Sequence, residues 1–269
     1  MTSPFQPKPF GDTGFMASPL GVGASYGVNA AAIEEAFERG VNYFYWAWAR
    51  RGGMRGGLRA LIPRHREKMF IVITSLLPSG PLVRNCVTRA LKALGTDYVD
   101  GVQFFTFPGR APFQGWQLDE AFRLRDRGLV RHIGLSGHDR PNLARLAGQP
   151  FAKFIHIRYN AIHRGAENDF FPALPPHGTG ARPGVVAFTV TSWRQLISAD
   201  PAKLGGLPVP TAGDCYRFAL THPGVDVCMT GPANGEQMRH ALDAAAKGPM
   251  ALEELEWMRA VGDKLYRKG

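Results

Sequence analysis

The sequence predicts an α/β protein: a closed (β/α)8 TIM barrel with an N-terminal hairpin and a C-terminal extra helix, in a single domain spanning residues 1–269. Three observations predict it. Short β-branched and aromatic runs alternate with helical patterns eight times, at a spacing of roughly 25 to 30 residues, which suits βαβ units closing into a cylinder. No Gly-x-Gly-x-x-Gly follows the first strand, where an open dinucleotide-binding sheet would place it; Gly21-Val22-Gly23 runs on into Ala24-Ser25-Tyr26 instead. The Pro/Gly-rich stretch 172–183 reads as a surface loop, so nothing divides the chain.

In chain order, Asp12-Thr13-Gly14 is a turn signal that places a hairpin before the main fold. The strands read as 20–24, 41–45, 69–74, 99–105, 130–135, 154–159, 185–190 and 225–229. Between them, Asn29 caps a helix with Ile33, Ala36 and Phe37 on one stripe, and Gly40 ends it. Helical patterns follow at 58–62, 82–94, 118–124 and 142–147, with a turn of helix at 167–171. Thr211 and Asp214 form a capping box for the next helix, 237–246 is helical, and 252–266 closes the chain.

Composition narrows the function classes. A hydrophobic share of 45% with 20% charged residues is that of a globular protein. No apolar run reaches the roughly 18 residues a membrane span needs, and the first ten residues lack an apolar signal core, so a cytoplasmic protein is expected. Cys86, Cys215 and Cys228 are far apart and read as reduced thiols. The formal charge of +10 does not point to nucleic acid, because no run of five or six basic residues occurs; it suits a small-molecule substrate or cofactor that is anionic. No metal-ligand spacing is present.

The stretch 40–57 concentrates the unusual chemistry. A strand ends at Tyr45 and is followed by Trp46, Trp48, Arg50, Arg51 and four glycines, a mixture that reads as a loop built for a site rather than for a core. Arg50 and Arg51 can clamp a carboxylate or phosphate, and Tyr45 can serve as an acid or as an aromatic wall. His138 stands at a strand end and titrates near neutrality. His156 and Arg158 share one face of the sixth strand, where a charge needs a partner or a ligand. Trp46, Trp48 and Trp193 are candidates for an apolar pocket, and His163-Arg164-x-x-Glu167 reads as a local salt bridge.

Several segments resemble the aldo-keto reductase family: Leu20-Gly21-Val22-Gly23, Leu94-Gly95-Thr96-Asp97-Tyr98-Val99-Asp100, Gly128-Leu129-Val130-Arg131-His132-Ile133-Gly134-Leu135-Ser136, Tyr159-Asn160 and Gly231-Pro232-Ala233-Asn234-Gly235-Glu236-Gln237. The matches run in the correct order over nearly the whole chain. The resemblance implies carbonyl reduction with NADP(H) by an Asp, a Tyr, a Lys and a His. Here those positions align with Tyr45, the Arg50–Arg51 loop, Ser75 and Phe105, so all four groups are replaced. The resemblance further implies Ser136 on the nicotinamide amide, Phe188 under its ring, the backbone at Gly231 and Asn234 on phosphate, and Gln237 on the adenine side. Trp46, Arg51, Ser75, Phe105 and Arg158 are then candidate substrate contacts, with Tyr45, Arg50 and His138 as candidate catalytic groups. Two readings stay open: an NADP(H)-linked oxidoreductase with a rewired acid, or a non-redox protein on the same scaffold, whether a lyase or isomerase on an anionic substrate or a binding protein without catalysis.

Overall fold

The structure is a computed structural model that describes residues 3–47, 51–75, 79–106 and 115–266. A two-stranded antiparallel hairpin, β1 (Lys8–Pro9) and β2 (Met16–Ala17), precedes eight parallel strands. These are β3 (Leu20–Gly23), β4 (Tyr43–Tyr45), β5 (Phe70–Ser75), β6 (Val99–Thr106), β7 (Val130–Gly137), β8 (Ala152–Arg158), β9 (Gly184–Phe188) and β10 (Val227–Thr230). They pair in sequence order, and β10 pairs back onto β3, which closes the cylinder. Both the hairpin and the (β/α)8 barrel are as the sequence predicts. Outside the strands lie α1 (Ala30–Glu38), α2 (Gly52–His65), α3 (Gly80–Leu94), α4 (Gly115–Asp126), α5 (Arg140–Ala147), α6 (Ala166–Asp169), α7 (Pro201–Leu204), α8 (Ala212–Thr221), α9 (Gly235–Ala246) and α10 (Leu252–Leu265). The sixth and seventh units carry only the four-residue helices α6 and α7 before α8 begins.

The capping residues behave as their chemistry requires. Asn29 Oδ1 accepts from the Ala32 N–H at 2.8 Å, and Thr211 and Asp214 exchange side-chain and backbone bonds in a capping box. The glycine-rich stretch after Tyr45 is a correction. Residues 52–57 are the first turns of α2, not loop. A Cβ on Gly53 would lie 2.2 Å from the Val28 carbonyl oxygen, and one on Gly57 would lie 2.7 Å from Ile33 Cβ. Glycine there lets α2 lie close against α1 and the segment leading into it.

The barrel interior is filled from its lower, N-terminal end. Phe10, from the hairpin, meets Phe70 and Tyr43 edge-on at ring separations of 5.1 and 5.2 Å. Phe154 occupies the centre, where a Cβ on Gly134 would come within 2.1 Å of its ring. Outside the cylinder the Leu-Gly-Thr-Asp-Tyr-Val-Asp motif has a structural task. Gly95 ends α3 with φ of +70°, Arg66 and Arg131 each lie 3.8 Å from the Tyr98 ring centre, and the Asp100 carboxylate takes Arg66 at 2.7 Å and the Ile71 N–H at 2.8 Å.

Helix α10 packs over the loop leaving β8. A Cβ on Gly262 would lie 1.9 Å from the Ala161 carbonyl oxygen. Here the expected local salt bridge of His163-Arg164-x-x-Glu167 is replaced by longer links. Arg164 pairs with Asp263, and Glu167 takes both guanidinium nitrogens of Arg259 at 2.9 Å and the Tyr159 hydroxyl at 2.7 Å. Among the described residues no helix is long and apolar enough to cross a membrane, and no three metal-ligating side chains cluster.

Burial sets the acid response. Desolvation pushes His156 down to about 3, and desolvation followed by the Arg131 charge pushes His132 down to about 4. Both bind protons more readily in the unfolded chain, so their contribution to stability is complete above pH 6.5 and shrinks as pH falls towards those values. Between pH 6.5 and 5 the unfolding free energy should drop by about 1–3 kcal/mol, before carboxylates titrate. Urea unfolding across that window measures it, and His156→Gln should flatten the slope.

Candidate functional site

The strands' C-terminal ends open into a cavity of about 780 Å3, within the roughly 300–1,000 Å3 of small-molecule and cofactor sites. Its floor is Tyr45, Phe105, Ser136 and His156. From Phe188 it runs over Met229, Thr230 and Gly231 to Ala212 and Gly213 at the start of α8 and to Gln237, His240 and Ala241 on α9. The outer flanks are Tyr26 and Trp193, 44% and 61% exposed.

Two buried polar chains lie beneath this floor. In the first, Tyr45 and Thr74 share a hydrogen bond of 2.5 Å between hydroxyls; Thr74 donates to Gln103 Oε1 at 3.1 Å, and Gln103 Nε2 reaches the Leu135 carbonyl at 3.5 Å. In the second, the Tyr43 hydroxyl and His156 Nε2 are 2.8 Å apart. Burial raises Tyr43 well above the usual phenol range and depresses His156, so both are neutral at physiological pH. The bond then runs between neutral groups, from the hydroxyl to Nε2 in the tautomer protonated on Nδ1 and from Nε2–H to the phenol oxygen in the other.

The segment after β9 is strained. Thr189 and then the consecutive Ser192, Trp193 and Arg194 have φ of +52°, +49°, +49° and +74°, left-handed values without glycine. It lines the cavity through Thr189, Trp193, Arg194 and Ile197. Such strain persists where surroundings over-determine it and marks functional loops. Two helix N-termini, of α8 and α9, face the same stretch, and helix N-termini attract anions.

No protein-family model matches this sequence, and no curated protein matches it either. Solved structures do. An aldo-keto reductase of Bacillus halodurans in its holo form superposes with a TM-score of 0.78 at 18% identity, over 97% of this chain and 96% of that one. Its apo form gives 0.77 at 19% identity over the same shares, and a Pseudomonas aeruginosa protein taken to be an aldo-keto reductase gives 0.68 at 20% identity, over 91% of this chain and 96% of that one. The chain has the aldo-keto reductase fold.

On that fold the expected site residues divide. Tyr45, Phe105, Ser136, His138, Phe188, Gly231 and Gln237 all line the cavity, as does Trp193. Ser75 does not: it has the parity of Ile71 and Ile73, which pack in the outer core, whereas Thr74 shares the inward parity of Val72. Trp46 also belongs to the outer core; its Nε1 donates to the Arg51 carbonyl at 3.2 Å, and the Arg51 guanidinium lies 4.4 Å from its ring centre, so neither is among the described residues lining the cavity. Arg50 and Trp48 fall outside the described residues. Asn234 spends its side chain capping α9, accepting from the Gln237 N–H at 2.9 Å, while Gln237 Oε1 accepts from the Ala233 N–H at 2.8 Å. Sequence reasoning missed Tyr43, Thr74, Gln103, Tyr26 and, apart from Trp193, the Thr189–Arg194 segment; strand parity carried the signal for the first three.

Arg158 stands apart. It follows Phe154 and His156 on the inward face of β8 and pairs in register with Phe188. It is half-buried, with no hydrogen bond or ion pair recorded among the described residues. Desolvation and then the Arg140 charge lower its pKa, and partial desolvation followed by the Arg158 charge lowers that of the rim residue His138.

Tyr43→Phe should cost about 1–3 kcal/mol, because it leaves His156 Nε2 buried without its hydrogen-bond partner. The urea midpoint measures this; a variant indistinguishable from wild type would mean that the pair is not held as described.

Proposed function

We propose that the protein is a member of the aldo-keto reductases that binds NADP(H) and reduces a small carbonyl compound with a rearranged proton donor. The observation that carries this reading is the single cavity joining the Tyr45 floor, past Phe188, to the N-termini of α8 and α9. The cavity suits a dinucleotide: an aromatic side chain for a flat ring at the barrel axis, helix N-termini for phosphates, and exposed Tyr26 and Trp193 at the outer end for a second ring. The Bacillus halodurans neighbour has holo and apo forms, which agrees with a cofactor in this family.

The proton-handling groups differ from those the sequence resemblance implies. No aspartate or lysine is among the described residues lining the cavity. The segments 48–50, 76–78 and 107–114, which follow β4, β5 and β6, contain no Asp, Tyr, Lys or His. Tyr45 is the remaining phenol at the floor; with Thr74 and Gln103 behind it, it is the group we assign to protonate the carbonyl oxygen. His138 is a weaker candidate, since a histidine held below its ordinary pKa is neutral at pH 7 and accepts a proton more readily than it gives one. When bound, the dinucleotide would supply the hydride. Ser136 and Phe188 orient it, Tyr45 delivers the proton, and Phe105 with the strained 189–194 segment screens the reacting carbon from water.

Titration of NADPH fluorescence tests the cofactor, with a Kd below about 1 mM expected and at least about tenfold weakening in Phe188→Ala. No binding at that concentration overturns the reading in favour of a non-redox barrel. Tyr45→Phe should lower kcat/KM for aldehyde reduction by about 10²–10⁴-fold while NADPH affinity changes little. Stopped-flow oxidation of NADPH with a panel of aldehydes measures it.

A further inference from the structure

We propose that the rim between β7 and β8 is an anion subsite, with Arg158 as its ligand, that selects carbonyl substrates carrying a carboxylate. This rests on the reductase reading in one respect only: it names the class of compound reduced, a short oxo acid.

Arginine does not lose its charge in proteins, so a half-buried guanidinium needs a counter-charge or a ligand. No carboxylate acts on Arg158, and those on the segments after β7 and β8 and on α10 are engaged elsewhere. Asp169 takes Arg140 Nε at 2.7 and 3.0 Å, Asp139 caps α5 through the Asn142 N–H at 3.2 Å, Glu167 binds Arg259 and Tyr159, and Asp263 pairs with Arg164. The segments 48–50, 76–78 and 107–114 contain no Asp or Glu. The charged and titratable groups that act on Arg158 are Arg140 and Tyr266; Arg158 in turn acts on His138 and His163, whose ring nitrogen Nδ1 is 3.2 Å from Asn160 Oδ1. Among the described residues the rim is thus a patch of cations and imidazoles in which the Arg158 guanidinium has no hydrogen-bond or ion-pair partner.

Its position relates the anion to the reaction. Arg158 lies across the strand register from Phe188, and the His138 ring lies 6.1 Å from the Phe188 ring. Arg158 is not itself among the residues lining the cavity but neighbours two that are, Phe188 and His138; if Phe188 supports the flat ring of a cofactor, an anion on Arg158 would bind at the cavity's edge on that side. A guanidinium fork binds a carboxylate through two parallel hydrogen bonds, which fixes direction as well as affinity. His138, neutral at pH 7, has one ring N–H with which to donate to the same group. Arg158 is therefore a specificity-determining residue, and the proton remains the business of Tyr45.

Calorimetric titration tests the subsite. Pyruvate, 2-oxobutanoate and 4-oxobutanoate would each be compared with its methyl ester, on the wild type and on Arg158→Met and Arg158→Lys, with and without NADPH. The wild type should bind at least one acid about tenfold or more tightly than its ester; Arg158→Met should abolish that preference, and Arg158→Lys, which keeps the charge and loses the fork, should fall between. The melting temperature of Arg158→Met should hold or rise, since an unpaired half-buried charge is removed, and this separates lost recognition from lost folding. Equal binding of acid and ester by the wild type in all three pairs, or an acid preference that survives in Arg158→Met, overturns the proposal. Failure of NADPH to bind while the acid preference persists would sink the cofactor reading and leave the subsite standing.

Discussion

Everything at the top of this barrel depends on how the bottom is filled. Phe10 enters from the hairpin, Phe70 and Tyr43 close around it, and Phe154 lies over them in space that the absent side chain of Gly134 leaves free. Protein interiors are close-packed, so aromatic volume spent at one level fixes which level comes next. Here the next level is polar: the Tyr43–His156 pair and the chain from Tyr45 through Thr74 to Gln103. Above it the side chains no longer meet, and the cavity begins.

That layering explains which chemistry this site can hold. Polar groups in a dry layer must satisfy one another, and they do so as neutral hydroxyl, imidazole and amide groups rather than as a lysine–aspartate pair. A neutral layer demands no buried counter-ion. Among the described residues formal charge enters at the rim, on Arg158 and Arg140, beside the neutral imidazoles of His138 and His163.

The fold was largely legible in the sequence because eight apolar runs recur at even spacing and the caps at Asn29 and Thr211 are chemically unambiguous. Much of the cavity lining was legible too, since Tyr45, Ser136, Phe188 and Gly231 stand at strand ends, where a barrel builds its mouth. What failed did so for physical reasons. The glycines at 53 and 57 look like loop composition, yet they exist to let two helices touch, and only a three-dimensional neighbour reveals that. Ser75 and Trp46 were one residue out of phase with the inward face, and with a period of two such a slip moves a side chain to the opposite side of the sheet. The left-handed run at 189–194 has no glycine to announce it. Arg158 could be seen to want a partner; that Asp139, Glu167, Asp169 and Asp263 are committed to other groups could not.

The docking of α10 against the loop beyond β8 has a consequence for biosynthesis. Gly262 lets that helix settle onto the Ala161 carbonyl, and the Arg164–Asp263 link joins residues 99 apart in sequence. While the ribosome is still making the intervening chain, the stretch just past Arg158 lacks its contacts with α10. That stretch therefore gains its α10 contacts only once the intervening chain has been made, although Asn160 and Tyr159 already meet Thr189, Phe171 and Phe218.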